Sequence, residues 1–140
     1  MAGPETNIHI ALMARVELME AVLSMPVAYP GVEFTNTAGD YLRAEHLPNE
    51  PFRWGVDGNS PMDRMGFLQL DLFTVIDGGS WQVLAISQAE DIADWFPRDL
   101  RLTSGGVTVQ LRKTWPQRGR KDPDGTHWHT PIRVEYRATA

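Results

Sequence analysis

Along residues 67–76 apolar side chains recur at every second position. Leu68, Leu70, Leu72, Thr74 and Ile76 fall on one face, the period of a strand. Phe67, Gln69, Asp71, Phe73 and Val75 fall on the other. That second face is mixed, so it calls for cover by another element or by another subunit. Asp77-Gly78-Gly79 breaks the pattern, and Ser80 is positioned to cap a helix. From Trp81 the spacing becomes 81, 84, 85, 88, 89, 92, 93, 96, a helical stripe with Ser87, Asp91 and Asp94 roughly opposite. Pro97 ends it. A strand feeding a helix of about four turns is the seam against which the rest packs, with Leu84, Ala89 and Ile92 expected over Leu70 and Leu72.

The flanking sequence supplies further elements. Thr6 or Asn7 is a candidate cap for a first helix whose stripe is Ile8, Leu12, Val16, Met19 and Leu23, ending before Pro26. His9 falls in its first turn and is expected as a neutral surface histidine. Residues 26–31 form a stiff connection, and Val32-Glu33-Phe34 a short strand. Residues 41–47 alternate as a half-buried strand closed by Pro48. Residues 52–56 are assigned in part to a strand and 57–65 to a loop or hairpin tip. Trp54, an aromatic in this polar stretch, needs a core or a partner. Ser104-Gly105-Gly106 joins strands 100–103 and 107–111 as a hairpin, because paired glycines supply positive φ at both central positions. Residues 112–126 are expected as a long loop, and 132–137 alternate as a strand with one solvated face. The order predicts an α+β domain spanning 1–140, a mostly antiparallel sheet with two main helices packed on one side.

Composition narrows the chemistry. The chain has no cysteine, which excludes disulfides, thiolate catalysis and cysteine-held metals. No run of eighteen apolar residues is present, and the start lacks the basic and then apolar run of a signal peptide, so no membrane partner is expected. The net charge of −5 conceals an asymmetry: residues 1–100 hold fifteen acids against five bases, residues 101–140 three acids against eight bases. A nucleic-acid binder with a uniformly basic face would not look like this, whereas parts of opposite sign suit contact between copies.

Candidate sites are few. His127 and His129, two apart on an extended segment, would point the same way and could share a metal ion. A third ligand would have to come from Asp122, Asp124, His46 or His9, and no His-Glu-x-x-His spacing is present; a surface pair beside a loop is the plainer reading. Asp91 and Asp94 share a helical face but are expected as its solvated side. Gly78-Gly79 and Gly105-Gly106 lack the context of a phosphate loop, and no serine sits in Gly-x-Ser-x-Gly. Hence no catalytic residue and no cofactor are expected. The basic run Arg112, Lys113, Arg118, Arg120 and Lys121, with Trp115 inside it, fits a solvated loop, a subunit or protein contact, or a phosphate contact. Asp122 and Asp124, next in the chain, weigh against the last.

Several segments taken in order carry a resemblance. They are Tyr29-Pro30-Gly31-Val32-Glu33-Phe34, Tyr41-Leu42-Arg43, Leu47-Pro48-Asn49, Gly66-Phe67-Leu68-Gln69-Leu70, the helix to Phe96-Pro97, residues 100–109 and Thr130-Pro131-Ile132-Arg133-Val134-Glu135-Tyr136. Over about residues 7 to 138 the chain resembles the tail-terminator-like (tail completion) proteins of long-tailed bacteriophages and prophages. The resemblance implies a non-enzymatic virion protein, made in the bacterial host cytoplasm. It would cap the head-proximal end of the tail tube as a homo-hexameric ring and meet the head–tail connector protein, with DNA passing through the lumen without specific binding. Contacts to other copies or to the tail tube protein are then expected from Trp54, Phe73, Val75, Arg112, Lys113, Trp115, Arg118, Arg120 and Lys121. The competing classes are another phage neck or tail adaptor, a monomeric binding module, and a small metal-dependent enzyme using His127 and His129.

Overall fold

The computed structural model describes residues 3–35, 37–53 and 62–140. Trp54 and the stretch 54–61 therefore lie outside the described residues. The chain runs α1 (Pro4–Leu23), β1 (Val27–Ala28), β2 (Tyr41–Pro48), β3 (Phe52–Arg53), β4 (Met62–Val75), α2 (Trp81–Trp95), β5 (Arg101–Ser104), β6 (Val107–Pro116), β7 (Arg120–Lys121) and β8 (His127–Thr139). The strands form one sheet in the order β1-β2-β4-β8-β6-β5, with β3 on β4 and β7 on β8. All pairings are antiparallel except β1 with β2. Both helices pack on one side of this curled sheet, as the α+β reading expects.

The centre of the sheet is the strand on which the sequence pattern turned. β4 and β8 pair in unbroken register from Asp63 opposite Thr139 to Val75 opposite His127. Leu68, Leu70 and Leu72 meet Val134, Ile132 and Thr130 there. Their helix-facing sides close a core with Leu42, Ala44, Val109, Leu111 and Tyr136. α1 adds Ile8, Leu12, Val16 and Met19, and the α2 segment adds Ala89, Ile92 and Phe96. Each large aliphatic side chain buried this way contributes about 1.5–3 kcal/mol. Gly66 is required by close approach rather than by a turn. A Cβ at that position would lie 2.6 Å from both the Leu47 carbonyl oxygen and the Tyr136 hydroxyl.

Several boundaries differ from the sequence expectation. α1 starts at Pro4, before Thr6 and Asn7, because proline at the first turn has no N–H to leave unpaired. Asn7 is instead buried inside the helix, its side chain meeting Ser104 of the β5–β6 turn at 3.3 Å. No strand forms at 32–34. The pairing with β2 is taken by Val27–Ala28, where the Glu20 carboxylate accepts the Val27 N–H at 3.0 Å and the Tyr29 hydroxyl at 2.9 Å. Ser80 makes no side-chain cap to α2.

Residues 62–65 belong to β4, not to a loop. Arg137 Nε donates to Asp63 at 2.7 Å, and the Met62 and Ala140 backbones exchange two 3.0 Å bonds, carrying the ladder to its end. Residues 112–126 are likewise mostly strand: β6 passes an irregularity between Leu111 and Lys113 and reaches Pro116, and β7 returns as a strap along β8. β8 correspondingly begins at His127. The Gly105-Gly106 turn has φ 56° and 82°, as its sequence required.

Candidate functional site

The mixed face of β4 is turned away from the helices, and its apolar and charged members satisfy one another. Asp71, 1% exposed, accepts hydrogen bonds from His129 Nε2 at 2.8 Å, Gln69 Nε2 at 3.0 Å and Arg43 at 3.2 Å. Burial alone would raise its carboxyl pKa. The bonds from His129 and Gln69, with the charges of His129 and Arg43, outweigh burial and hold it below the ordinary value. Phe73 stacks between His129 at 4.8 Å and Tyr41 at 4.7 Å, with the Arg43 guanidinium 5.4 Å from its ring. Phe73 was expected at a subunit contact; it is 3% exposed, and its own chain covers it. Val75 is partly buried, its N–H donating to Asp40 at 2.8 Å.

His127 and His129 do share a face, but they are buried rather than a surface pair. His127 Nε2 lies 3.1 Å from the Gly39 carbonyl, which can only accept, so that nitrogen carries the proton. Its Nδ1 meets the Thr126 hydroxyl at 2.8 Å. The Nε2 of His129 is committed to Asp71. Among the described residues no group of three or more His, Cys, Asp or Glu side chains is placed to hold a metal ion. No helix among them is long and apolar enough to cross a membrane.

A second polar cluster lies under α1, where the sequence pointed only to a surface histidine. His9 Nδ1 and His46 Nδ1 are 3.2 Å apart with stacked rings, and His46 Nε2 meets the Tyr136 hydroxyl at 2.6 Å. Burial, aided by His9 and opposed by Glu5, lowers the His46 pKa. The unfolded chain therefore binds the His46 proton more readily than the folded one. This contribution to stability is complete above the ordinary histidine value of about 6.5 and is lost as pH falls toward the lower folded value. Melting temperature should fall between about pH 7.5 and 5.5, and His46→Gln should flatten that fall. Equal slopes for the parent and the variant would contradict this account.

The other predicted contact residues among those described fall into three places. On the helix-free face, Lys113 Nζ lies 5.0 Å from the Trp115 ring, Trp115 meets Phe67 edge-on at 6.3 Å, and Arg133 covers Phe67 at 4.9 Å. Arg118, Arg120 and Lys121 are exposed on the β7 strap and its approach, apart from that cluster. Arg112 is exposed at the irregularity in β6.

Two apolar surfaces were not anticipated. An open groove of about 640 Å³ runs between α2 and the connection (116–119) that leads into the β7 strap, lined by Trp81, Ala85, Ile86, Ala89, Pro116 and Trp128 among others. The Trp81 and Trp128 rings lie 5.3 Å apart in it. On α1 the outward side chains Ile10, Leu18 and Val22 are 47%, 56% and 62% exposed. The signal was present in the sequence as apolar residues lying off each helix's buried stripe.

The fold is an α+β domain with two exposed apolar surfaces, and its described residues form no metal-binding cluster. Residues 7–136 match the family described as phage tail terminator protein, and the chain belongs to that family. It is a structural, non-enzymatic protein of the phage-tail class. One solved structure is similar over 94% of this chain and 92% of its own, at 26% identity and a TM-score of 0.76. A chain in the virion of a native gene transfer agent particle shares the fold over 100% of both chains, at 14% identity and a TM-score of 0.57. No curated protein sequence matches.

Proposed function

We propose that six copies of this chain close into a ring on the head-proximal end of a tail tube, stop its growth and present a face to the head connector. The observation that carries this reading is the pair of exposed apolar surfaces on one chain, in α1 and beside α2. Distinct surfaces make head-to-tail contacts, and such contacts generate a ring when the rotation closes. Membership of a family of tail terminators supplies the context in which closure is useful.

Apolar side chains supply most of the affinity in this arrangement, and the acidic and basic parts of the chain set register. DNA passes through the opening without being gripped, so the lumen wall is acidic or neutral. The basic residues Arg112, Arg118, Arg120 and Lys121 lie at an interface or on a rim, as do Lys113 and Trp115 on the sheet face. Trp54, Val75 and these residues remain the proposed contacts; Phe73 is covered by Tyr41, His129 and Arg43 of its own chain.

Mass photometry at about 0.05 and 0.5 M salt reads the ring population directly. The hexamer should weaken but persist at high salt, because screening acts on exposed charges and not on apolar contact. A hexamer abolished by salt would show that charge alone holds the copies together. A protein that is strictly monomeric at both salts would remove the ring.

A further inference from the structure

The two apolar surfaces, unassigned to any role by family or fold, fit one another. We propose that the outward stripe of α1 on one copy docks into the groove between α2 and the β7 strap of the next, forming the repeating contact of the ring. This rests on the ring reading given above.

α1 carries apolar side chains on two opposite sides, with its polar residues between them. Its inner side is Ile8, Leu12, Val16 and Met19. Its outer side presents Ile10, Ala14, Leu18, Ala21 and Val22, spaced at helical period and exposed. A helix at the surface of a finished particle keeps its outer side polar; one that is apolar on two sides is covered on both. The nearby polar side chains that would otherwise dilute the stripe are turned to other tasks. Arg15 bonds the Trp95 carbonyl and stacks on its ring, and Glu20 holds Val27 and Tyr29. Glu17 is the exposed charge left beside the stripe.

The groove has the complementary build. Its floor combines an aromatic pair, Trp81 and Trp128, with Ala85 and Ala89, small enough to admit a close helix. Gly119 lets the strap lie directly against Trp128, since any Cβ there would strike the indole. Gln82 and Gln117 line it as polar members, the arrangement of an apolar centre within a polar rim. Exposed Arg118 and Lys121 flank it, Lys121 opposite Trp128 in register, and both are opposite in sign to Glu17; Arg120, opposite His129, belongs to the helix-free face. Glu90 also lines the groove, from α2. Register is thereby constrained: Glu17 must face the strap and not α2.

The stripe and the groove share no residue, so each pair of copies joined by one such contact leaves a stripe and a groove open for the next copies; cross-linking that stops at a dimer would instead show reciprocal docking and overturn the ring contact. A second copy is the favoured occupant because the complementary surface, in shape class and in charge, is carried by the same chain.

The absence of cysteine makes the test clean. Leu18→Cys combined with Ile86→Cys should give, on mild oxidation, a ladder of cross-linked species ending at the ring. Leu18→Cys alone or Ile86→Cys alone should give no ladder. Leu18→Glu, and independently Val22→Glu, should raise the apparent dissociation constant by about tenfold or more with melting temperature unchanged, since both positions are exposed. A hexamer that resists both charged variants and yields no 18–86 cross-link would overturn this interface and leave the ring reading intact. Groove protection appearing only when tail tubes are added would assign the groove to the tube protein and overturn it equally. A monomer at tens of micromolar would remove the ring reading and this contact together.

Discussion

Asp71→Ala should cost about 3 kcal/mol of folding stability, a loss out of proportion to the few atoms removed. The carboxylate is 1% exposed and accepts from His129, Gln69 and Arg43 at once. Removing it leaves the buried His129 donor without a partner, at about 1–3 kcal/mol, and strips the partly buried Gln69 amide of its acceptor as well. Arg43 is half exposed and can turn to water, so its share of the loss is small. The His129 ring also forms one side of the stack on Phe73, so the damage should reach Tyr41 and the β2 edge. Asp71→Asn keeps the shape and part of the bonding and should lose less. The pH dependence has a definite sign. A carboxyl held below its ordinary value contributes stability above that value, and the contribution is lost as pH falls toward the folded one. Urea titration at neutral pH measures the difference through the midpoint at constant slope. A midpoint for Asp71→Ala equal to that of the parent would show that the network is ornamental.

The second large effect separates two neighbours on α2. Ile92→Ala should destabilise by about 2–4 kcal/mol, the usual range for emptying a buried aliphatic site. Leu84→Ala should stay within about 0.5 kcal/mol. Ile92 is 1% exposed, while Leu84 is 46% exposed. The alternation and spacing alone placed both in the core. The buried arc of α2 is centred on Ala85, Ala89 and Ile92, which leaves Leu84 at its margin. Equal losses for the two variants would mean that α2 is rotated relative to the sheet.

That pair shows what periodicity can and cannot carry. Strict alternation located β4 and its neighbour β8 because a half-buried strand has a period that admits no other assignment. The Gly-Gly hairpin was legible because few residues besides glycine supply two consecutive positive φ values. Pairing partners were not legible: Val27–Ala28 won the edge of β2 through the Glu20 carboxylate, a contact between residues seven apart that no pattern encodes. Residues 112–126 looked like a loop because Pro116, Pro123, the glycines and the bases carry low strand propensity. β8 nonetheless pairs with Lys113–Pro116 of β6 and with Arg120–Lys121 of β7.

The interaction surfaces were legible only in part. The basic run and Trp115 stood out by composition, and the structure divides them between the sheet face and the strap. The α1 stripe and the α2 groove were hidden because apolar residues on a helix are ordinarily counted as core. Only the fold shows which side faces inward. His9 and His46 came together for the same reason, being 37 residues apart in sequence and meeting only where the first turns of α1 reach the sheet.

The central claim is termination, and it is tested most directly on a growing tail tube. Purified protein would be added to polymerising tail-tube subunits encoded beside it, and tube lengths measured by electron microscopy of stained particles. The account predicts that growth stops on addition, that mean length falls as the protein is added earlier, and that a ring appears at one end of each tube. Unchanged length distributions at saturating protein, with both tube ends bare, would contradict it.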